Sequence, residues 1–242
     1  MTRCSLWGDG VTKRFGRLTV LDGTSWRFTG RMTLLFAPNG SGKTTLLSLS
    51  LGIYKPTRGR AGACVPPGPG LGFFLESREL PLHARAGDFM AFAARLRGVR
   101  CNKECIVSVL ETVGLPGSIA GRALGQLSSG QLRLVLVAQA LVGEPEVIVL
   151  DEPFAGLDPY RRLRLSIALN RISRSSRLVI SSHILGQLRP DEAYTLKEGK
   201  VRPIPPVEPR PVRLLDPGTG SVVEAQPEKA LEMAGEGMIV LE

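Results

Sequence analysis

The stretch Ala37-Pro38-Asn39-Gly40-Ser41-Gly42-Lys43-Thr44-Thr45 sets how the rest of this sequence is read. A short apolar run at 33–36 leads into it, and TTLLSLSLG leaves it as a helical pattern ending at Gly52. Gly40 and Gly42 lack a Cβ, so the main chain can come close to a ligand oxygen. The turn opens onto a helix N-terminus, whose free N–H groups and dipole favour anions. Lys43 is placed to reach β- and γ-phosphates, the Thr44 hydroxyl to ligate Mg²⁺, and Thr45 to add an α-phosphate contact. Ala37 stands where such loops usually begin with Gly, and its methyl is expected to restrict the start of the turn.

Downstream, Val147-Ile148-Val149-Leu150 is a continuous apolar run, as a central parallel strand requires. It delivers Asp151 and Glu152 to the strand end, the rim where ligands bind in open α/β sheets. Asp151 is suited to a magnesium shell and Glu152 to polarising an attacking water as general base. Solvated acids at a strand end are the plain alternative for this pair alone. Shortly before it, Leu127-Ser128-Ser129-Gly130-Gln131 opens an apolar-faced helix. Ser128 there is either an ordinary N-cap or part of a second anion cradle with the backbone N–H groups.

Between these landmarks, strands and helices alternate. Residues 18–28 suggest a strand pair, and 72–75 a buried strand. Residues 83–97, 103–113, 131–142 and 159–173 show helical spacing, and 178–181 reads as another inner strand. Residues 61–70 are crowded with Pro and Gly and are expected to hold no regular structure. Prolines 203, 205, 206, 209, 211 and 217 mark a linker, after which a small strand–helix–strand cap is expected. This alternation argues for a doubly wound, mostly parallel sheet.

With 242 residues, the chain suits one substantial α/β domain with a small appendage. Hydrophobic residues at 43% and charged residues at 22% exclude disorder throughout. The net charge of +9 fits nucleotide phosphates, an anionic membrane face, nucleic acid or a merely solvated arginine-rich surface. No apolar run is long enough to span a bilayer, and the N-terminal residues lack a signal-peptide core. Cys4, Cys64, Cys101 and Cys105 lack partners for a tetrahedral metal site and are read as reduced thiols.

Taken in order, A-P-N-G-S-G-K-T-T, L-S-S-G-Q, V-I-V-L-D-E-P, A-G-L-D and S-S-H resemble the nucleotide-binding domain of ABC transporters, over roughly residues 5–202. The resemblance implies a P-loop NTPase-like sheet with an antiparallel β extension and a small helical subdomain. It implies an ATPase domain over 1–204, with the helical part near 77–126, then a Pro-rich linker and small extension over 205–242. It also implies ATP and Mg²⁺ as cofactors, a site lined by residues 37–45, and Ser128, Ser129, Gly130 and Gln131 meeting the nucleotide of an opposite copy. In the family's pattern Phe15 would stack on adenine, although an ordinary core aromatic is the alternative. Asp158 would contact the opposite subunit. His183 would contact the γ-phosphate and orient Glu152 and water, unless it is simply a buried, satisfied histidine.

Two further departures stand out. Glu76 falls where the family has a glutamine touching Mg²⁺ and the attacking water. Ser129 replaces a glycine, and its Cβ is expected to restrict the signature loop; both point to slower turnover. The implied partners are a separately encoded integral-membrane subunit and a second ATP-binding subunit, with a homodimer the simplest case and no nucleic acid expected. The implied location is cytoplasmic, on the inner face of the cell membrane. A non-transport ABC ATPase acting on ribosomes or DNA and a slow regulatory subunit are the rival expectations. The short tail is similar to exporter subunits, a weak analogy that leaves substrate and direction open.

Overall fold

In the computed structural model, residues 5–65, 68–75, 79–184, 188–206 and 209–241 are described. The central sheet is built from β3 (Met32–Phe36), β5 (Leu71–Phe74), β6 (Val147–Asp151), β7 (Arg177–Ser182), β8 (Glu192–Lys197) and β9 (Lys200–Ile204). Its order is β5-β6-β7-β3-β8-β9, parallel except for the β8–β9 pair. The continuous apolar runs follow from this position. Ile148, Leu150, Leu178 and Ile180 face one core, while Val147, Val149 and Val179 face another. A strand buried on both faces has no polar side to show.

A second sheet, ordered β2-β1-β4, is antiparallel and covers one of these cores. It comprises β1 (Leu6–Phe15), β2 (Leu18–Phe28) and β4 (Arg58–Ala63). Two expectations are corrected here. Residues 18–28 are one strand, not a pair; the turn lies between Phe15 and Leu18, at Gly16 with φ 57°. Residues 61–63 are strand rather than irregular chain. Glycine is used there for close approach: a Cβ at Gly62 would sit 3.2 Å from the Trp7 indole, and one at Gly59 only 2.4 Å from the Gly10 carbonyl oxygen.

The first core is covered by α2 (Ala86–Leu96), α3 (Lys103–Thr112) and α4 (Ser129–Leu141), with two short 3-10 helices at Gly117–Gly121 and Leu124–Gln126. Met90, Ala94, Ile106 and Leu110 pack in the same cluster as Ile148 and Leu150, so these helices share a core with the sheet. Arg97 caps the C-terminal end of α4, donating to the carbonyls of Gln139 at 3.0 Å and Val142 at 2.9 Å. Burial holds its pKa below the ordinary arginine value. Arg97→Met is expected to cost about 2 kcal/mol, because the carbonyls it satisfies lose a charged donor. A lower midpoint of urea denaturation checks this, and an unchanged midpoint refutes it.

The cysteine expectation is also overturned. Cys101 and Cys105 form a disulfide with Cα atoms 5.4 Å apart, while Cys64 is free. Cys101 precedes α3 and Cys105 lies in its first turn. Asn102 is the N-cap of α3, and its extended backbone turns the chain so that Cys101 folds back on Cys105.

Residues 203–217 are not simply a linker. Pro203 lies in β9, an edge strand where a missing N–H is tolerated. Val212 and Leu214 are buried in β10 (Val212–Leu215), the middle strand of a sheet with β11 (Val222–Ala225) and β12 (Ile239–Val240). With α6 (Pro227–Gly235) this forms a small cap of three strands and one helix, one strand more than expected. Its apolar side packs on Leu163 and Ile167 of α5 (Pro159–Ile172).

Candidate functional site

Between β3 and α1 (Lys43–Ser50), the loop turns on Gly40 and Gly42, whose φ values of 78° and 103° lie in the left-handed region. A Cβ at Gly42 would also sit 2.6 Å from Val20. No side chain caps α1, and the buried Ser41 Oγ has no hydrogen-bond partner among the described residues. Such uncompensated groups are what a bound anion would satisfy. Ala37 is not in the left-handed region; its methyl is fully buried in the core, and its N–H donates to Ser182 O at 3.2 Å. The expected restriction at this position is therefore corrected: the turn does not require glycine there.

Lys43 is 5% exposed and curls back over the loop, donating to the carbonyls of Ala37 at 2.6 Å and Pro38 at 3.1 Å. Its Nζ also forms an ion pair with Glu152 Oε1 at 2.8 Å. The other Glu152 oxygen meets His183 Nδ1 at 2.7 Å. One carboxylate thus sits between the loop lysine and the histidine that follows β7.

Asp151 ends β6 fully buried, in register with Ser181 of β7. Its Oδ2 accepts from Thr44 Oγ1 at 2.5 Å and its Oδ1 accepts from Ser181 Oγ. Thr44 and Asp151 present hard oxygen atoms side by side, the donor set that suits Mg²⁺ held jointly with substrate phosphates. Among the described residues, no cluster of three or more His, Cys, Asp or Glu side chains could hold a metal alone. The donor set therefore fits a phosphate-bound ion, not an all-protein cage.

Glu152 has φ 49°, a conformation non-glycine residues seldom adopt and which costs on the order of 1 kcal/mol. Its N–H donates to both the carbonyl and the hydroxyl of Ser181, at 3.1 and 3.0 Å. Its carbonyl accepts from Arg133 Nη1 at 2.9 Å. Arg133 carries no role in the sequence reading, and Ser181 enters it only within S-S-H, with no role of its own. A serine near the end of an inner strand gives no signal of its own until strand order places it beside Asp151.

The other expected residues form a second cluster. Ser128 caps α4 through a complete capping box with Gln131. Ser129 is the first helical residue and is exposed, so its Cβ does not strain the loop as expected. Gly130 packs against the 156–158 turn: a Cβ there would lie 3.4 Å from Leu157 and 3.5 Å from Gly156 O. Asp158 caps α5 and pairs with Arg161 at 3.0 Å. Among the described residues, none of Ser128, Ser129, Gly130, Gln131 or Asp158 is hydrogen-bonded to Lys43, Thr44, Asp151, Glu152 or His183. Phe15 is 43% exposed, not a core aromatic, with Tyr54 edge-on at 5.6 Å and the Lys13 ammonium 4.7 Å from its ring centre. Asn39 and Thr45 lie within the same loop and helix start, and Glu76 lies outside the described residues.

The description "ABC transporter" belongs to the family profile that matches residues 22–155. The chain is 38% identical over 161 residues to an Fe(3+) ions import ATP-binding protein, FbpC 1, of Rhodococcus jostii, covering 62% of this chain and 46% of that protein. It is 38% identical over 157 residues to an aliphatic sulfonates import ATP-binding protein, SsuB 1, of Nocardia farcinica, covering 64% and 61% respectively. The chain thus spans about half the length of the curated relatives it matches. Among solved structures, a dimeric bacterial ABC transporter cassette superposes with a TM-score of 0.71 at 21% identity, over 81% of this chain and 96% of that one. Likeness at that identity speaks for the fold alone.

Proposed function

This chain belongs to the ABC transporter family, and on that premise we propose that it binds and hydrolyses ATP to power transport through a separate membrane-spanning partner. The observation that carries the proposal is the placement of Glu152 between Lys43 at 2.8 Å and His183 at 2.7 Å, beside an Asp151 already bonded to Thr44. In this reading residues 37–45 cradle the phosphates, and Lys43 exchanges its carbonyl and carboxylate partners for β- and γ-phosphate oxygens. That exchange frees Glu152 to take a proton from the attacking water, with His183 holding its second oxygen in place. Thr44 and Asp151 would hold Mg²⁺, which supplies charge neutralisation at the phosphates when bound. Phe15 offers an exposed ring face to the base.

Ser128, Ser129, Gly130, Gln131 and Asp158 do not reach this site within one chain, which supports a head-to-tail pair of copies with each ATP between the two clusters. The membrane partner would dock beside Thr44, in an open groove of about 620 Å³ lined by Ile53, Tyr54, Phe73, Leu80 and Phe89. Among the described residues no helix is long and apolar enough to cross a membrane, so such a partner would supply the spans. The test is phosphate release from ATP by the purified chain, alone and co-expressed with a neighbouring membrane subunit. Release that requires Mg²⁺ supports the proposal. No release in either preparation overturns it.

A further inference from the structure

We infer that Arg133 is a positioning residue for Glu152 and ties the start of α4 to the chemistry at the end of β6; this rests on the ATPase reading above. Three observations meet in this side chain. Its Nη1 donates to the Glu152 carbonyl at 2.9 Å. Its guanidinium lies 5.7 Å from the centre of the Phe74 ring, the buried last residue of β5, so strand, helix and catalytic turn share one contact. And it sits five residues after Ser128 on α4, the helix whose capped N-terminus carries the residues assigned to the opposite copy's nucleotide.

The bond matters because of what it holds. Glu152 has φ 49°, a backbone state that relaxes unless its surroundings fix it. Its N–H is fixed by Ser181 on β7. Its carbonyl is fixed by Arg133, through a charge-assisted hydrogen bond that is stronger than a neutral one. The carboxylate must point between Lys43 and His183, and its direction follows from the backbone that bears it. Because Arg133 rides on α4, a movement of that helix start on meeting a second copy's nucleotide shifts the aim of Glu152.

The test compares Arg133→Met and Arg133→Lys with the unaltered chain in steady-state ATP hydrolysis, with Glu152→Gln run beside them. Arg133→Met is expected to lower kcat about 10- to 100-fold, the scale of a roughly 1 Å misplacement. KM for ATP stays close to that of the unaltered chain, and the melting temperature falls by only a few degrees, as loss of one charged hydrogen bond implies. Arg133→Lys, which can still donate one charged hydrogen bond to the carbonyl, recovers a substantial part of the rate. The inference is overturned if Arg133→Met leaves kcat unchanged, if KM rises by the same factor as kcat falls, or if Arg133→Lys is no better than Arg133→Met. If Glu152→Gln itself retains full activity, the assignment of Glu152 as the base fails instead, while absence of hydrolysis by the unaltered chain would remove the underlying ATPase reading.

Discussion

Glu152→Gln is expected to lower γ-phosphate release by about 10³-fold while leaving ATP binding intact, since removing a general base costs roughly 10²–10⁴. Gln has the same shape and keeps a partner for His183, so the loss isolates the ability to accept a proton. Glu152 also pairs with Lys43 at 2.8 Å. Any incoming phosphate must compete with that carboxylate for the ammonium. Removing the charge relieves the competition, so affinity for ATP is expected to hold or rise. Single-turnover phosphate release and equilibrium binding of a fluorescent ATP analogue separate the two effects. A variant that hydrolyses at the original rate removes Glu152 from the role of base.

Lys43→Met carries the second large effect, and it acts on both affinity and stability. The ammonium is 5% exposed and has three partners in the loop and on Glu152. Charged hydrogen bonds contribute about 1.5–3 kcal/mol each, so affinity for ATP is expected to fall roughly 10- to 100-fold. Breaking a buried pair also strands the remaining charge, a cost of about 3 kcal/mol that would appear as a lower unfolding free energy. Adding Glu152→Gln to Lys43→Met removes the stranded charge and is expected to restore much of that stability. Equal stability of the single and double variants would show that the pair does not exist as described.

The difference between what was legible and what was not follows the range of each signal. The phosphate loop, the acids after 147–150 and the Ser128 cap are written in contiguous residues, and their local geometry follows from glycine freedom, strand burial and helix capping. Ser181 and Arg133 act across the fold. Nothing near either residue in sequence says that β7 lies beside β6, or that α4 leans on Glu152. The glycines of β4 misled for a related reason. Glycine usually weakens strands, but Gly62 serves the Trp7 indole and Gly59 the Gly10 carbonyl, partners some fifty residues earlier in the chain. The prolines of 203–217 hid β10 in the same way, since Val212 and Leu214 gain their burial from α5 and α6. Neither Ala37 nor Ser129 sits where the backbone is left-handed, so neither position needs the conformational freedom of glycine in this arrangement.

The shared site rests on two clusters that do not meet within one chain, and the mass of the chain in solution tests it. Glu152→Gln, expected to bind ATP and turn it over about 10³-fold more slowly, is sedimented with and without saturating ATP. Doubling of the sedimenting mass only with ATP, and loss of that doubling when Ser128 is changed to Arg at the face meant for the second copy, is the outcome that two shared sites require. A single-copy mass at saturating ATP, or a dimer indifferent to both nucleotide and Ser128, would contradict the shared site.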